Sequence, residues 1–141
     1  MKLAVVYWTG SGNTKQMAEA IVAGAKEAGA EASLIFCTDF AKEQVAAYDA
    51  LAFGCPAMGA EMLEESDFEP MFAQVEGELV GKKVALFGSY GWGDGEWMRT
   101  WESRCAEKGI TLATESLIVN DAPDAQGVQN CRMLGSALVK E

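Results

Sequence analysis

Short apolar runs alternate along this chain with segments in which apolar residues recur every three or four positions. The runs that begin at Leu3, Ala50 and Lys83 are nearly continuous, which is typical of strands buried on both faces of a sheet. The pattern predicts five strands, and they are Leu3–Trp8, Ala32–Phe36, Ala50–Gly54, Lys83–Gly88 and a fifth near Leu117–Val119.

Helical spacing is present in four of the intervening segments. Gly29 follows the first apolar stripe and is expected to stop its helix. The second stripe is preceded by Ser66-Asp67-Phe68-Glu69, the pattern of a capping box, and Pro70 fits only in the first turn. A weaker helix is predicted from Phe40 to Tyr48. The stripes are Met17, Ile21, Gly24 and Ala28; Phe68, Met71, Phe72, Val75 and Leu79; Trp97, Met98, Trp101 and Cys105; and Val128, Cys131, Leu134 and Leu138.

This alternation, (βα)5, predicts an α/β fold in which a parallel, doubly wound five-stranded sheet is covered on both faces. The 141 residues, half of them hydrophobic, fit a single domain that spans 1–141. Ligands of such sheets bind beyond the carboxyl ends of the strands, where the strand order reverses. The loops after the first, third and fourth strands are therefore the candidate site.

Composition excludes several classes of function. The formal charge of −10 argues against nucleic acid and anionic membranes as partners and favours partners with basic docking surfaces. The chain has no histidine, which excludes zinc sites and acid–base catalysis that depend on it. The four cysteines form no CxxC pair and are expected to be isolated thiols in a reducing cytoplasm. Since no signal-peptide pattern and no bilayer-spanning run of about 20 apolar residues is present, we expect a soluble, cytoplasmic protein.

The loop after the first strand reads Thr9-Gly10-Ser11-Gly12-Asn13-Thr14 and opens into a helix. Small residues let backbone amides crowd around an anion, and the hydroxyls and the helix N-terminus add favourable polar groups. The lysine of a Walker loop is missing, and Lys15 stands where a dinucleotide fingerprint needs a third glycine. The loop thus favours an uncharged phosphate site, and the alternative is an ordinary polar turn.

The loop after the third strand reads Cys55-Pro56-Ala57-Met58-Gly59-Ala60-Glu61. The thioether of Met58 can lie on the face of an aromatic ring, and Glu61 can accept a hydrogen bond from an imide N–H. The alternative is an irregular connection with a glycine turn.

The loop after the fourth strand reads Ser89-Tyr90-Gly91-Trp92-Gly93-Asp94-Gly95. Its glycines leave backbone amides free and let the Trp92 indole lie flat against a ligand, unless that indole folds back onto the core. By contrast, Trp97 and Trp101 lie on a helical stripe and are predicted to be core residues. One ligand with a phosphate tail and a planar, hydrogen-bonding ring satisfies all three loops, and that ligand is FMN.

The three loops resemble those of the flavodoxin family, of the short-chain clostridial type, and the likeness extends over essentially the whole chain. The resemblance implies the strand order 2-1-3-4-5 and FMN bound without a covalent link. It implies a low-potential one-electron carrier, not an enzyme, that shuttles between redox proteins through semiquinone and hydroquinone states. The expected partners are reductases and electron-accepting enzymes with basic docking surfaces, and the expected state is a monomer.

The resemblance also implies roles for individual residues. The loop Thr9–Thr14 would hold the phosphate, Met58 and Trp92 would flank the two faces of the ring, and Glu61 would bind the ring N3–H. Amides of Gly91–Gly93 would meet the pyrimidine oxygens, and Asn120 would lie at the edge of the cofactor. The expected cofactor-binding residues are Thr9, Gly10, Ser11, Gly12, Asn13, Thr14, Pro56, Ala57, Met58, Gly59, Ala60, Glu61, Ser89, Tyr90, Gly91, Trp92, Gly93 and Asn120.

Position 60 departs from the glycine or polar residue that the resemblance leads us to expect. Family behaviour implies that the Gly59 carbonyl turns toward the ring N5 on one-electron reduction. If that turn is type II, the residue after Gly59 needs a positive φ, which costs alanine on the order of 1 kcal/mol. Ala60 is therefore expected to weaken the semiquinone.

Two other functions are compatible with an α/β domain that has such loops. An FMN-dependent reductase of quinones or nitro compounds needs a substrate pocket over the flavin, and Trp92 on one face and the lack of an added domain argue against it. A phosphoacceptor signalling domain needs Asp at the ends of the first and third strands. Thr9 and Cys55 stand there instead, so this second rival is rejected.

Overall fold

The computed structural model describes residues 1–140 and contains one parallel sheet in the order β2-β1-β3-β4-β5. The strands are β1 (Lys2–Tyr7), β2 (Glu31–Phe36), β3 (Ala50–Gly54), β4 (Lys83–Tyr90) and β5 (Leu117–Asn120). The helices are α1 (Asn13–Glu27), α2 (Phe68–Val75), α3 (Glu96–Glu107) and α4 (Ala125–Leu138). The predicted fold class and strand order are confirmed.

Two apolar cores cover the two faces of the sheet. On one face, α1 and α4 pack through residues such as Met17 and Leu134. On the other face, α2 and α3 bury Phe72 and Trp101, whose rings meet edge to face at 5.5 Å. Every residue of β3 is buried, whereas β2 at the sheet edge is largely half-exposed or exposed. The central strands therefore read as continuous apolar runs and the edge strands do not.

Helices α1 and α4 cross at very short distance because each carries a glycine at the contact. A Cβ at Gly24 would lie 2.0 Å from the Arg132 carbonyl oxygen, and one at Gly135 would lie 2.0 Å from the Ile21 carbonyl oxygen. At the end of α1, Gly29 (φ 95°) donates to Lys26, and Ala30 donates to Ala25. This Schellman arrangement confirms the predicted helix stop.

The predicted helix from Phe40 to Tyr48 is wrong. Two 3₁₀ segments, Cys37–Asp39 and Lys42–Ala47, occupy this connection instead. Only Phe40 and Val45 of the predicted segment are well buried among its apolar residues, so no continuous apolar stripe holds a longer α-helix on the sheet. The chain is thus (βα)5 in order but with 3₁₀ turns in place of the second helix.

The predicted capping box at Ser66 is also wrong. Helix α2 begins at Phe68, and neither Ser66 nor Asp67 caps it through its side chain. The Glu64 carboxylate instead accepts hydrogen bonds from the amides of Ser66, Asp67 and Phe68 at 2.7–2.9 Å. A single anion satisfies three orphan donors at once, which a serine hydroxyl cannot do. Pro70 lies in the first turn, as predicted.

Candidate functional site

A cavity of about 360 Å³ lies at the carboxyl edge of the sheet, where β1, β3 and β4 end. From β1 the chain continues to β2 on one side of it and later to β3 on the other side. The strand order therefore reverses between β1 and β3, and the cavity lies at this switch point. Nine of the residues predicted from the sequence line this cavity. They are Gly10, Ser11, Asn13, Pro56, Ala57, Met58, Ser89, Tyr90 and Gly91.

The first loop leaves amides free at the N-terminus of α1. Within residues 1–140, the amides of Ser11, Asn13 and Thr14 donate to no protein group. The Gly12 amide is already engaged, because it donates to the Thr9 hydroxyl oxygen at 3.0 Å. The first turn of the 15-residue helix α1 carries no acidic residue, so the positive end of its dipole faces the cavity uncompensated. Free amides and helix dipole together form an anion site.

Thr14 does not line the cavity. Its hydroxyl is buried and pairs with the Ser89 hydroxyl at 3.1 Å, and the Ser89 amide approaches the same oxygen at 3.4 Å. This contact joins the start of α1 to β4. In the described structure, Thr14 therefore acts through its free backbone amide and through its contact with Ser89.

The second loop folds back on itself as a short antiparallel turn. Met58 and Met62 exchange backbone hydrogen bonds of 2.9 and 3.0 Å around Gly59, Ala60 and Glu61. The positive φ angles fall on Gly59 (44°) and Glu61 (58°) and not on Ala60. The turn observed here is therefore not the type II arrangement that would strain Ala60, and the strain lies at Glu61 instead.

Glu61 connects the second loop to the third. Its Oε2 accepts a hydrogen bond of 3.3 Å from the Trp97 amide in the first turn of α3. Its Oε1 is buried and, among the described residues, has no partner. A Cβ at Gly93 (φ 86°) would lie 2.0 Å from this Oε1, so position 93 must be glycine for the carboxylate to sit there. Glu61 Oε1 is thus a buried hydrogen-bond acceptor that lacks a donor among the described residues.

The third loop presents its aromatic side chains differently. Trp92 is 68% exposed, whereas Trp97 and Trp101 are each 1% exposed, which confirms that the latter two are core residues. The Trp97 indole N–H donates to the Cys55 carbonyl at 3.0 Å and packs 5.6 Å from the Tyr90 ring. Trp97 therefore supports the ends of β3 and β4 behind the cavity, and Trp92 is free to meet a ligand.

Two residues that the sequence reasoning did not select also line the cavity, Trp8 and Asp121. Trp8 directly follows β1, and its ring lies 3.2 Å from where a Cβ of Gly10 would be. Its position directly after a buried strand, at the carboxyl edge of the sheet, could have indicated that it lines the site. Asp121 directly follows β5 with φ 57°, a left-handed conformation that no sequence pattern announces.

Asn120 does not line the cavity. Its side-chain amide donates to the Tyr90 carbonyl at 3.2 Å, and the Asp121 amide donates to the same oxygen at 2.8 Å. The end of β5 therefore holds the last residue of β4 in place. Of the other predicted residues, Thr9, Gly12, Thr14, Gly59, Ala60, Glu61, Trp92 and Gly93 lie in the loops around the cavity without lining it.

The charges that line the cavity are negative or absent. No lysine or arginine is among the residues that line the cavity, while Asp121 is. Burial raises the pKa of the Cys55 thiol well above its usual range, so this cysteine stays protonated and unreactive at neutral pH. The site can hold an anion by amides and a planar ring by apolar contacts.

Comparison with known proteins decides the family. Residues 5–135 match the protein family described as Flavodoxin. The chain is 46% identical over 136 residues to the flavodoxin of Megasphaera elsdenii, a match that covers 96% of this chain and 97% of that protein. The chain belongs to the flavodoxin family. It is likewise 44% identical over 136 residues to the flavodoxin of Clostridium beijerinckii, covering 96% and 98% of the two chains.

The solved structures agree. The solution structure of two-electron reduced Megasphaera elsdenii flavodoxin matches with a TM-score of 0.89 at 44% identity, covering 99% of each chain. As a member of this family, the protein is an FMN-binding electron carrier rather than an enzyme. No helix within residues 1–140 is long and apolar enough to cross a bilayer.

The residues at the carboxyl edge fit FMN. The free amides of Ser11, Asn13 and Thr14 match the needs of a phosphate. The unpartnered Oε1 of Glu61 matches the single N–H donor of the flavin ring. Beside the amides of Ser11 and Asn13, the cavity presents apolar groups of Trp8, Pro56, Ala57, Met58 and Tyr90. Polar groups for a phosphate and apolar walls for a ring correspond to the two chemical halves of FMN.

Proposed function

We propose that the chain holds FMN across its three loops and uses it to pass single electrons at low potential between redox proteins. The observation that carries the proposal is the buried, unpartnered Oε1 of Glu61 in the loop after β3, which complements the free helix N-terminal amides that follow β1. FMN supplies the redox chemistry when it is bound. The chain binds and orients it, and its charge opposes added negative charge on the ring.

The predicted site residues divide into those that bind FMN directly and those that position the binding groups. The Thr9–Thr14 loop binds the phosphate through its amides, and Thr14 and Ser89 keep that loop in register with β4. Met58 and Trp92 flank the ring, Glu61 accepts from its N3–H, and the amides of Gly91–Gly93 meet the pyrimidine oxygens. Asn120 acts through the carbonyl of Tyr90, which it holds next to these amides.

Stepwise anaerobic reduction of the purified protein, followed by its visible spectrum, tests this function. We expect a yellow protein that accepts electrons in two separate one-electron steps. A single two-electron step with rapid NAD(P)H oxidation in the presence of quinone would favour the FMN-dependent reductase. A colourless protein that takes up no FMN would contradict the proposal.

We also propose that the loops around the cavity form the docking surface for basic redox partners. Met62 and Trp92 are 41% and 68% exposed beside this edge, and the exposed acidic residues Glu65, Asp94 and Glu96 follow them closely along the chain. Apolar groups within an acidic rim suit brief encounters with a basic patch.

The rate of electron transfer to a basic c-type cytochrome tests this docking surface. Glu65→Lys should slow it, whereas Glu31→Lys, at the opposite edge of the sheet, should slow it much less. Equal effects would contradict a localised docking surface.

Finally, we propose that residues 1–141 work as one FMN-binding domain, as a monomer in the cytoplasm. The charge of −10 opposes self-association. The four cysteines are free and buried, as suits a reducing compartment. Burial raises the pKa of Cys37 to about 12 and that of Cys105 to about 11, so both thiols stay protonated. Light scattering should give the mass of a single chain, and a dimer mass would contradict the monomer.

A further inference from the structure

The third loop is held by few hydrogen bonds. Between the end of β4 at Tyr90 and the start of α3 at Glu96, the chain has glycine at positions 91, 93 and 95. Among residues 1–140, no backbone group of Gly91–Asp94 bonds to another backbone group. A glycine-rich segment loses much conformational entropy when it is ordered, so something must offset that cost.

Arg99 makes the hydrogen bonds that do reach this segment. From the first turns of α3, its Nη1 donates to the Asp94 carbonyl at 3.0 Å and its Nη2 donates to the Asp94 carboxylate at 2.9 Å. The guanidinium passes over Gly95, where a Cβ would lie 3.6 Å from Nη1. One planar fork thus binds a main-chain and a side-chain oxygen of the same residue through two separate nitrogens, a fixed geometry that the single ammonium nitrogen of a lysine lacks.

We propose that Arg99 is a positioning residue for FMN binding, because it holds the loop that carries Trp92 in the conformation that receives the ring. The inference rests on the proposed function. It concerns the ring end of the site only, since Arg99 lies on α3 and the phosphate amides lie on α1. We call the two Arg99–Asp94 hydrogen bonds the clamp. Without the clamp, the segment Gly91–Asp94 samples more conformations, and FMN must order it on binding.

The direct electrostatic attraction is not what makes this contact matter. The side chains of Arg99 and Asp94 are 59% and 81% exposed, and an exposed ion pair of this kind is screened and contributes little by itself. The effect comes from the two hydrogen bonds to a segment that, among residues 1–140, makes no other hydrogen bond. It therefore falls on ligand binding more than on the stability of the fold.

Binding of two ligands to the apoprotein tests the proposal, with FMN and riboflavin as the probes and flavin fluorescence as the readout. In Arg99→Ala, the Kd of both flavins should rise by the same factor, roughly three- to tenfold. Riboflavin lacks the phosphate, so an equal effect on both locates the loss at the ring. Arg99→Lys should recover part of the loss, and Arg99→Ala should have a smaller effect in an Asp94→Ala background.

Arg132→Ala is the matched control, because it removes the same charge from an exposed ion pair with Glu27 at the α1–α4 contact. Its flavin Kd should stay at the wild-type value. An unchanged Kd in Arg99→Ala, a rise for FMN alone, or an equal rise in Arg132→Ala would each overturn the clamp. If the wild-type apoprotein binds neither flavin, the proposed function itself fails, which is a separate outcome.

Discussion

Glu61 combines a strained backbone conformation with a buried, unpartnered carboxylate oxygen. Its φ of 58° is unfavourable for a residue with a side chain, yet the conformation places one oxygen on the α3 amide of Trp97 and leaves the other buried and free. Backbone strain of this kind persists where the surroundings enforce it, and it is common at binding sites. The free oxygen is a buried acceptor with no donor among the described residues, and we propose that the ligand brings that donor.

Replacing Glu61 by Gln should raise the Kd for FMN about tenfold. The amide keeps the shape of the side chain but has one acceptor oxygen for two donors, the Trp97 amide and the ring N–H. Fluorescence titration of the apoprotein measures the change. Glu65→Gln removes a charge from an exposed position nearby and should leave the Kd within twofold of wild type, by the usual size of exposed-charge effects. Equal Kd values for the two variants would contradict a specific role of Glu61.

Ala60 should affect reduction rather than FMN binding in the oxidised state. The observed turn places its positive φ angles on Gly59 and Glu61, so Ala60 is unstrained in it. A rearranged turn with a positive φ at residue 60 costs alanine on the order of 1 kcal/mol. If reduction selects that turn, Ala60→Gly should raise the first one-electron potential by about 40 mV. A redox titration that finds the potential unchanged would mean that residue 60 never adopts the strained conformation.

Helix α2 begins on a carboxylate, that of Glu64, which lies outside the helix. Burial alone would raise the pKa of Glu64, but hydrogen bonds from the amides of Phe68, Asp67 and Ser66 outweigh it and hold the pKa below its ordinary value. A carboxylate with a lowered pKa stabilises the fold when it is charged, and this contribution is lost as the pH falls through the folded-state pKa.

Glu64→Gln should therefore lower the free energy of unfolding by about 1–2 kcal/mol at neutral pH. The gap between variant and wild type should be complete above the ordinary carboxyl pKa of 4.5 and should shrink below it, because wild-type Glu64 then becomes protonated as well. Urea unfolding over a series of pH values measures it. A gap of the same size in acid would show that shape, and not charge, caps the helix.

The contact between α1 and α4 depends on the absence of two side chains. A Cβ at Gly135 would meet the Ile21 carbonyl oxygen at 2.0 Å, and backbone cannot move aside as a side chain can. Gly135→Ala should destabilise the fold by about 3 kcal/mol or more in urea unfolding. Gly77→Ala is the control, since nothing lies within 4 Å of its Cβ, and it should be neutral or slightly stabilising. Similar losses in both would contradict the close crossing.

The same elements explain what could be predicted from the sequence. Strands buried on both faces, such as Ala50–Gly54, leave continuous apolar runs, and the stripe containing Trp97 and Trp101 leaves a helical period, so these elements were predicted. The connection from Phe40 to Tyr48 was not, because a few buried residues suit a 3₁₀ turn as well as a helix. The cap of α2 was also missed, since Glu64 reaches forward from outside the usual capping pattern.

At the site, what could be predicted depended on the length of the motif. Consecutive small and polar residues after a strand, as in Thr9–Thr14, predict an amide-rich loop at once. Asp121 and the partner of Thr14 could not be predicted, since they depend on the dihedral angles after β5 and on how β4 lies beside α1. Contacts between loops far apart in sequence carry no short-range signal.

At the scale of the whole molecule, a single electrostatic field acts on two kinds of partner. We expect the charge of −10 to attract the basic redox partner proposed above and to repel the FMN phosphate, whose proposed site has amides and no cation. Lys15 follows the phosphate loop but is exposed and does not line the cavity. Salt screens both interactions, so it should act on them in opposite directions.

Raising the ionic strength from about 10 mM to about 500 mM should therefore speed FMN association with the apoprotein severalfold while slowing electron transfer to a basic cytochrome. Stopped-flow fluorescence and absorbance measure the two rates. Riboflavin is the control: without a phosphate, its association should barely respond to salt. If FMN association slows with salt instead, a cation such as Lys15 must reach the phosphate. The uncharged amide site would then be wrong, whatever the behaviour of the cytochrome, because only the first rate reports on the charges that surround the phosphate.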